Sequence, residues 1–237
     1  MGELTGGTHT VIVTGATGNL GRAVAAAFEA DDARVVLVGR SVDALSARFG
    51  AETERRLFVA ADLRVQADAD AVAGRAIDRF GRIDALCNLA GGFRMGEPVH
   101  ETSDATWQLL FDLNARSVLT MARAVVPRMI AQGGGAIVNV GAFAAQRGAA
   151  NMGAYCASKS VVARLTESMA AELRERNINV NCVLPTILDT PENRSAMPDA
   201  DPARWVAPAD LAHIMVFLAS PAARAIHGAA IPVTGLS

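Results

Sequence analysis

Short apolar runs rich in β-branched residues alternate along the chain with longer segments in which apolar residues recur every three or four positions. The short runs predict strands buried on both faces, because such strands show no polar alternation. The longer segments predict amphipathic helices. The predicted strands are 10–14, 34–38, 57–60, 85–89, 136–140, 179–184 and 230–233, and the predicted helices are 20–30, 67–80, 107–129, 155–176 and 209–218.

Strands separated by helices predict a parallel sheet with right-handed crossovers and helices on both faces. The fold class is therefore a doubly wound α/β domain of seven strands, and residues 1–237 contain no linker or repeat that would divide it. Three irregular stretches, 91–96, 141–153 and 185–208, each follow a predicted strand. Because ligands of open α/β sheets bind beyond the carboxyl ends of the strands, these loops should surround the site.

Charge and composition indicate which kinds of molecule the protein binds. The 22 basic and 24 acidic residues leave a net charge of −2, which lacks the basic excess of a nucleic-acid-binding protein and favours a small-molecule substrate. No apolar run is long enough to cross a membrane, and residues 1–10 lack the features of a targeting signal, so we expect a cytoplasmic protein. Cys87, Cys156 and Cys182 have no metal-like spacing, so we expect reduced thiols and no metal site.

A glycine-rich segment, Thr-Gly-Ala-Thr-Gly-Asn-Leu-Gly at 14–21, follows the first strand and leads into a helix. Glycines let backbone amides approach a pyrophosphate, and the helix N-terminus adds its positive dipole end. A glycine-rich turn without a ligand is the alternative, but the strand, turn and helix context favours a bound dinucleotide. The predicted cofactor contacts are Gly15, Thr17, Gly18, Asn19, Leu20 and Gly21.

The end of the second strand bears on the type of dinucleotide. An acidic residue there would bind the ribose hydroxyls of NAD and repel a 2′-phosphate, whereas the chain has Gly39 followed by Arg40, which can pair with that phosphate. We therefore expect NADP to be preferred and NAD to be possible, although an arginine after a strand can also be a plain surface residue. Asp62, with Leu63 beside it, could accept a hydrogen bond from the adenine amino group, or could simply cap a turn.

Tyr155 and Lys159 are the only tyrosine and the only lysine of the chain, and they lie four residues apart at the start of a predicted helix. That spacing places them one turn apart on the same face. A cation beside a phenol favours the phenolate and lowers its pKa, so the pair could transfer a proton to a carbonyl or imine. The alternative is an exposed lysine near an unrelated tyrosine, which is disfavoured in a chain that otherwise uses only arginine.

These residues resemble the short-chain dehydrogenase/reductase family over essentially the whole chain, which implies a Rossmann-type fold. Residues 14–21 are similar to its glycine-rich motif, with Asn19 where the commonest form has glycine, and Asn-Leu-Ala-Gly at 88–91 resembles its Asn-Asn-Ala-Gly turn. Tyr155, Lys159 and Asn114 match three of the four positions of its active-site tetrad. The likeness of the 88–91 turn to the family's turn implies cofactor contacts at Asn88, Ala90 and Gly91.

The resemblance also implies roles for further residues. Lys159 would bind the nicotinamide ribose as well as act on the tyrosine, and Asn114 would hold a water in the proton relay. The carboxamide of the nicotinamide would be contacted by a segment after the sixth strand. The family forms homodimers or homotetramers, which implies self-association through helices 107–129 and 155–176. The residues that match the carboxamide-contacting segment are Pro185, Leu188 and Thr190.

The fourth tetrad position departs from the family pattern. The family usually has serine thirteen residues before the tyrosine, and this chain has Ala142 there. No serine occurs between Ser117 and Ser158. Loss of one oxyanion donor typically costs a factor of roughly 10²–10³ in rate, about 2.7–4 kcal/mol. Something must therefore replace the hydroxyl or make it unnecessary.

One branch of the family, the dihydropteridine reductases, also has alanine at that position. The segment 186–201, with Trp205 beyond it, is similar to the corresponding loop of those enzymes, and 90–92 resembles their Ala-Gly-Gly turn. The resemblance implies NAD(P)H-dependent reduction of an activated conjugated acceptor such as a quinonoid dihydropterin, with residues 186–207 acting as a lid.

Two alternatives remain open because loops can be shared between enzymes of different specificity. The first is a ketone reductase or alcohol dehydrogenase in which Asn151, Gln146 or a water replaces the missing hydroxyl. The second is a non-catalytic dinucleotide-binding regulator. The presence of both Tyr155 and Lys159 disfavours the regulator.

Overall fold

In a computed structural model of the protein, which describes residues 9–237, seven parallel strands form one sheet in the order β3-β2-β1-β4-β5-β6-β7. The predicted fold class is confirmed. The strands are β1 Thr10–Thr14, β2 Arg34–Gly39, β3 Arg56–Ala60, β4 Ala85–Asn88, β5 Gly135–Val140, β6 Ile178–Pro185 and β7 Ala230–Val233. The helices are α1 Asn19–Ala30, α2 Val42–Phe49, α3 Gln66–Phe80, α4 Asp104–Phe111, α5 Ser117–Gln132, α6 Gly153–Leu173, α7 Pro191–Ala196 and α8 Pro208–Leu218.

Helices cover both faces of the sheet. Successive side chains of a strand point to opposite faces, so Ile12 packs with α3, α5 and α6 while Val11 and Val13 pack with α1 and α8. Both sets are buried, which explains why the strands read as continuous apolar runs.

The strand order reverses at β1, which pairs with β2 on one side and with β4 on the other. The connections from these strands leave in opposite directions across the sheet, and a crevice opens beyond their carboxyl ends. The glycine-rich segment follows β1 and the 88–91 turn follows β4, so the topology places both motifs at this crevice.

Two helical regions differ from the sequence prediction. Helix α2 was not predicted, because only one of its eight residues, Leu45, is buried and a helix with one buried residue shows little periodicity. The predicted helix 107–129 starts earlier, at Asp104, and contains a π-helical turn at Asp112–Arg116 that separates α4 from α5. Such turns are frequent at functional sites, and this one contains Asn114.

The stretch 185–208 is more ordered than predicted. It contains α7, whose N-terminus is capped by the Thr190 hydroxyl accepting a hydrogen bond from the backbone N–H of Asn193 at 3.2 Å. Leu188 forms a parallel bridge with Val206, and Trp205 is buried. Its action as a lid stays a prediction.

Candidate active site

Close backbone contacts in the glycine-rich segment leave no room for side chains. Gly15 has a φ of +65°, and a Cβ added there would lie 2.9 Å from the backbone nitrogen of Ala90. A Cβ at Gly21 would lie 2.3 Å from the carbonyl oxygen of Gly15. Gly18 precedes α1, and no described side chain caps this helix end. The first backbone amides of α1 are therefore available to an anion, which fits the pyrophosphate of a dinucleotide.

Thr14 joins the glycine-rich segment to the 88–91 turn. This role was not predicted from the sequence. Its hydroxyl accepts hydrogen bonds from the backbone N–H groups of Leu89 at 2.9 Å and Ala90 at 3.1 Å. The sequence did contain a signal for this role, because Thr14 ends a buried strand and directly precedes the first glycine of the motif. Ala90 thus lies against Gly15, and its contact with the cofactor stays a prediction.

Asn88 lies in a buried network beneath the site. Its side-chain amide donates to the Asn139 side chain at 2.9 Å, and Asn139 donates in turn to the Thr166 hydroxyl at 2.9 Å. These contacts join β4, β5 and α6. Asn88 therefore positions the turn at the end of β4, and its direct contact with the cofactor stays a prediction.

The residues expected near the adenosine ribose lie at the end of β2. Arg40 is exposed and forms no ion pair with residues 9–237. A Cβ at Gly39 would lie 3.1 Å from Leu45 and 3.3 Å from the Thr17 methyl group, so an acidic residue there would require these neighbours to move slightly. Leu20, in the first turn of α1, packs its side chain into the core, so only its backbone can face a cofactor.

Asp62 is already paired. The Arg64 guanidinium donates to both of its carboxylate oxygens, at 2.9 Å from Nε to Oδ1 and 2.6 Å from Nη2 to Oδ2, and this contact lowers the pKa of Asp62 to about 2. The neighbouring Leu63 is buried, and its carbonyl accepts a hydrogen bond from the Thr120 hydroxyl at 2.5 Å. The predicted contact of Asp62 with adenine would compete with Arg64, although such exposed ion pairs are weak.

Asn19 links the glycine-rich segment to two helices. Its side-chain nitrogen donates to Glu192 of α7 at 2.6 Å, and its side-chain oxygen accepts from Arg48 of α2 at 3.2 Å. Glycine, the commonest family residue at this position, could make neither bond. The expected lid is therefore attached directly to the segment that is expected to bind phosphate.

Asn114 connects the 90–92 turn to α6 through two hydrogen bonds. Its Oδ1 accepts from the backbone N–H of Gly92 at 2.8 Å, and its Nδ2 donates to the Ser158 hydroxyl at 2.9 Å. A Cβ at Gly91 would lie 2.8 Å from Asn114 Oδ1 and 3.2 Å from Lys159 Nζ, so only glycine fits there. The sequence analysis missed Gly92 and Ser158. The water that Asn114 was expected to hold stays a prediction.

Tyr155 and Lys159 lie one turn apart on α6, as predicted. Lys159 is buried and donates to the Val140 carbonyl at 2.8 Å, and burial lowers its pKa to about 8. Burial raises the pKa of Tyr155 to about 12. The expectation that Lys159 lowers the Tyr155 pKa is therefore wrong for the protein chain itself, because desolvation of the phenolate dominates. Tyr155 consequently keeps its proton at neutral pH, as a proton donor must.

Ala142 lies where the family pattern has serine, and it is buried with only a methyl group. Asn151 lies on the same side of the site as Tyr155, in the left-handed backbone region with a φ of +60°. Asn151 and Tyr155 line a cavity, hereafter the Tyr155 cavity. Its other lining residues are Arg94, Met95, Glu97, Thr102, Thr106, Leu110, Met152, Gly153 and Ala154. Gln146 is exposed and does not line it, so Asn151 is the better placed of the two substitutes.

The segment expected to contact the carboxamide follows β6. Pro185 ends that strand, and the Leu188 carbonyl accepts a hydrogen bond from the Asn193 side chain at 2.8 Å. Thr190 is buried, and its hydroxyl caps α7. These positions lie beyond the carboxyl end of the sheet, and their contacts with the cofactor stay predictions.

No helix in residues 9–237 is long and apolar enough to span a bilayer. The same residues contain no group of three or more histidine, cysteine or acidic side chains placed to hold a metal ion.

Comparison with known proteins assigns the family. The family model for short chain dehydrogenases matches residues 9–201. The chain belongs to the short-chain dehydrogenase/reductase family. D-threitol dehydrogenase of Mycolicibacterium smegmatis is 35% identical, over 94% of this chain and 90% of its own length. The 2-dehydro-3-deoxy-D-gluconate 5-dehydrogenase of Escherichia coli is 36% identical, over 94% and 93%.

Solved structures of similar fold support the same family assignment. The 3-ketoacyl-(acyl-carrier-protein) reductase from Brucella melitensis, complexed with NADH, superimposes with a TM-score of 0.87 at 30% identity, covering 96% of this chain and 97% of the other. L-sorbose reductase from Gluconobacter frateurii, complexed with NADPH and L-sorbose, gives 0.86 at 29%, covering 98% and 97%. The protein is thus an NAD(P)-dependent oxidoreductase, which argues against the non-catalytic alternative. The relatives' names do not support the narrower resemblance to dihydropteridine reductases.

Proposed function

We propose that this enzyme reduces an activated, conjugated acceptor, with Tyr155 as the proton donor and no hydroxyl donor at position 142. The buried methyl group of Ala142 carries this proposal. Hydride addition to a ketone concentrates negative charge on one oxygen, which a positioned donor must stabilise. Hydride addition to an electron-poor conjugated system spreads that charge, so one fewer donor is needed. A quinonoid dihydropterin is such an acceptor, and the resemblance of 186–201 supports it.

The residues around the reaction have distinct tasks. A bound nicotinamide dinucleotide supplies the hydride. Tyr155 donates its phenolic proton to the acceptor. Burial raises its pKa to about 12, which keeps the phenol protonated at neutral pH but makes it a weaker acid. Lys159 lies 2.8 Å from the Val140 carbonyl, where its buried amine can also bind the cofactor ribose. Asn114 keeps the 90–92 turn against α6.

We also propose that NADP(H) is preferred over NAD(H). Gly39 leaves the end of β2 without an acid, and Arg40 is exposed beside it with no ion-pair partner among residues 9–237. A guanidinium in this state can pair with a 2′-phosphate without breaking another contact. This arrangement supports the preference.

Oxidation of a polyol or of a sugar acid is the second candidate. The names of the two relatives favour it, and so does the position of Asn151 beside Tyr155. An Asn151 side-chain amide could donate to a developing oxyanion in place of the serine hydroxyl. The Arg94 guanidinium in the same cavity could suit a sugar acid.

Restoring the missing hydroxyl separates the two candidates. If the natural acceptor is activated, Ala142→Ser should change its reduction little and should raise activity towards simple ketones. The measurement is kcat/KM for a quinonoid dihydropterin, 1,2-naphthoquinone and a simple ketone, with NADH and NADPH. Ala149→Ser, at an exposed position of the same loop, is the matched control. Lower ketone activity in Ala142→Ser, together with an inactive Asn151→Ala, would contradict the first candidate.

Self-association as a homodimer or homotetramer is a further proposal. Trp107, Leu119 and Ile130 are exposed along α4 and α5, where the sequence analysis expected an interface. Exposed apolar side chains that recur along neighbouring helices suit contact with a second copy.

A further inference from the structure

The Tyr155 cavity contains a cation that no described residue pairs with. Arg94 lines this cavity together with Tyr155, and its side chain is exposed. It forms no ion pair with any residue in 9–237. The charge of Arg94 is therefore available to a ligand.

The acidic residue of the cavity lining does not neutralise Arg94. Both carboxylate oxygens of Glu97 are engaged within its own loop and α4. Oε1 accepts from the Thr106 hydroxyl at 3.0 Å, and Oε2 accepts from the backbone N–H of Ser103 at 3.1 Å. Glu97 thus holds the start of α4 in place and forms no ion pair with Arg94.

Asn151 offers a second hydrogen-bonding group. Its backbone carbonyl accepts from the Gly96 N–H at 2.8 Å, which holds the 94–97 loop against the residues before α6. Its side chain forms no hydrogen bond with the described residues and lines the cavity. The amide of Asn151 and the guanidinium of Arg94 are therefore both donors that can face a ligand.

The rest of the lining combines apolar side chains with the hydroxyl groups of Thr102 and Thr106. Met95, Leu110 and Met152 contribute to it, and methionine adapts readily to the shape of a bound ring. A ligand site of this kind binds a mainly apolar body and orients it through a few polar groups. The cavity thus combines an apolar surface, two donors and the proton-donating phenol of Tyr155.

We infer that the substrate is an anion: a compact ring compound that carries a carboxylate, which Arg94 binds while the reducible bond faces Tyr155. Among activated acceptors, those with an acid group are then preferred to an uncharged dihydropterin. A guanidinium matches a carboxylate because its two parallel N–H groups can donate to the two oxygens. The inference rests on the proposed oxidoreductase function for its reducible bond, but the binding of the carboxylate does not depend on turnover. Arg94 is on this view a specificity-determining residue.

Direct binding tests the inference without turnover. The protein saturated with oxidised cofactor is titrated by calorimetry with cyclohexanecarboxylate and with cyclohexanecarboxamide, its neutral counterpart of similar shape. We expect the wild type to bind the carboxylate about tenfold more tightly, as for one charge-assisted hydrogen bond. Arg94→Ala should abolish this preference and Arg94→Lys should keep part of it. Arg75→Ala, at an exposed arginine of α3, should keep all of it.

Equal affinity for the two ligands, no detectable binding of the carboxylate, or an unchanged preference in Arg94→Ala would each overturn the inference. Cofactor affinity should be unchanged in every variant, because Arg94 lies on the substrate side. This control separates loss of a ligand contact from general damage to the fold.

Kinetics with a matched pair of acceptors adds a second readout. Arg94→Ala should raise the KM for 1,2-naphthoquinone-4-sulfonate about tenfold and leave the KM for 1,2-naphthoquinone unchanged, with little effect on kcat. Equal changes for both quinones would count against the inference. If the wild type reduces neither quinone, the proposed acceptor class fails, while the titration still decides the role of Arg94.

Discussion

The glycine-rich segment and the Tyr155 cavity are specified in different ways, although both lie beyond the carboxyl ends of the strands. In the first, backbone atoms pack so closely that a Cβ at Gly15 or Gly21 would overlap the neighbouring main chain. In the second, the lining includes the side chains of Arg94, Asn151 and Tyr155, on which the proposed chemistry depends. The cofactor side thus tolerates few residue types, whereas the substrate side can change its specificity without altering the fold.

Asn114 and Lys159 lie where these two regions meet. Both face Gly91, where a Cβ would lie 2.8 Å and 3.2 Å from their polar atoms. Asn114 lies in the π-helical turn and bonds the backbone of Gly92, while Lys159 lies on α6 and donates to the Val140 carbonyl. Substitutions on either side of this boundary should therefore separate cofactor binding from turnover.

The largest effect is expected from Tyr155→Phe. Removing the phenolic proton should lower kcat by a factor of about 10²–10⁴, the usual contribution of a general acid. Cofactor affinity should stay within a few-fold, because the glycine-rich segment is untouched. Steady-state kinetics and a cofactor titration measure the two quantities. Full turnover by this variant would contradict the assigned mechanism.

Arg40→Ala should act only on the cofactor side. Loss of one charged contact to a 2′-phosphate should weaken NADPH binding about tenfold and leave NADH binding nearly unchanged. Fluorescence titration with both cofactors measures this difference, and Arg40→Lys should retain part of the affinity. Equal effects on NADPH and NADH would show that Arg40 is an ordinary surface residue.

The smallest effect is expected where α7 is attached to the glycine-rich segment. Glu192→Ala removes the acceptor of the Asn19 side-chain hydrogen bond and leaves the core intact. Backbone amides of α7 should exchange hydrogen faster, while those of β1 and the thermal unfolding midpoint stay unchanged, because this hydrogen bond lies at the surface. Glu175→Ala, on the turn after α6, is the control. Unchanged exchange in α7 would show that this contact does not hold the lid.

Much of the fold could be predicted because burial leaves a periodic pattern in the sequence. All five residues of β1 are buried, and the continuous apolar run follows from that. Helix α2 escaped prediction because Leu45 is its one buried residue. The π-helical turn at Asp112–Arg116 was not predicted either, because the apolar spacing typical of a helix continues on both sides of it.

By itself, the sequence determined features that depend on neighbours along the chain. The strand–turn–helix context of residues 14–21 and the one-turn spacing of Tyr155 and Lys159 are of this kind, because helix and strand geometry relates nearby residues directly. The absence of a hydroxyl at Ala142 is likewise a property of the sequence.

Only the tertiary structure determined the features of the site that arise from contacts between distant segments of the chain. Asn114 contacts Ser158, 44 residues away, and Arg94 shares a cavity with Asn151. The pKa of Tyr155 also belongs here, because burial of the phenol raises it and Lys159 is not among the causes of the shift. Desolvation and long-range contacts arise from the packing of the whole domain, and no local pattern of residues records them.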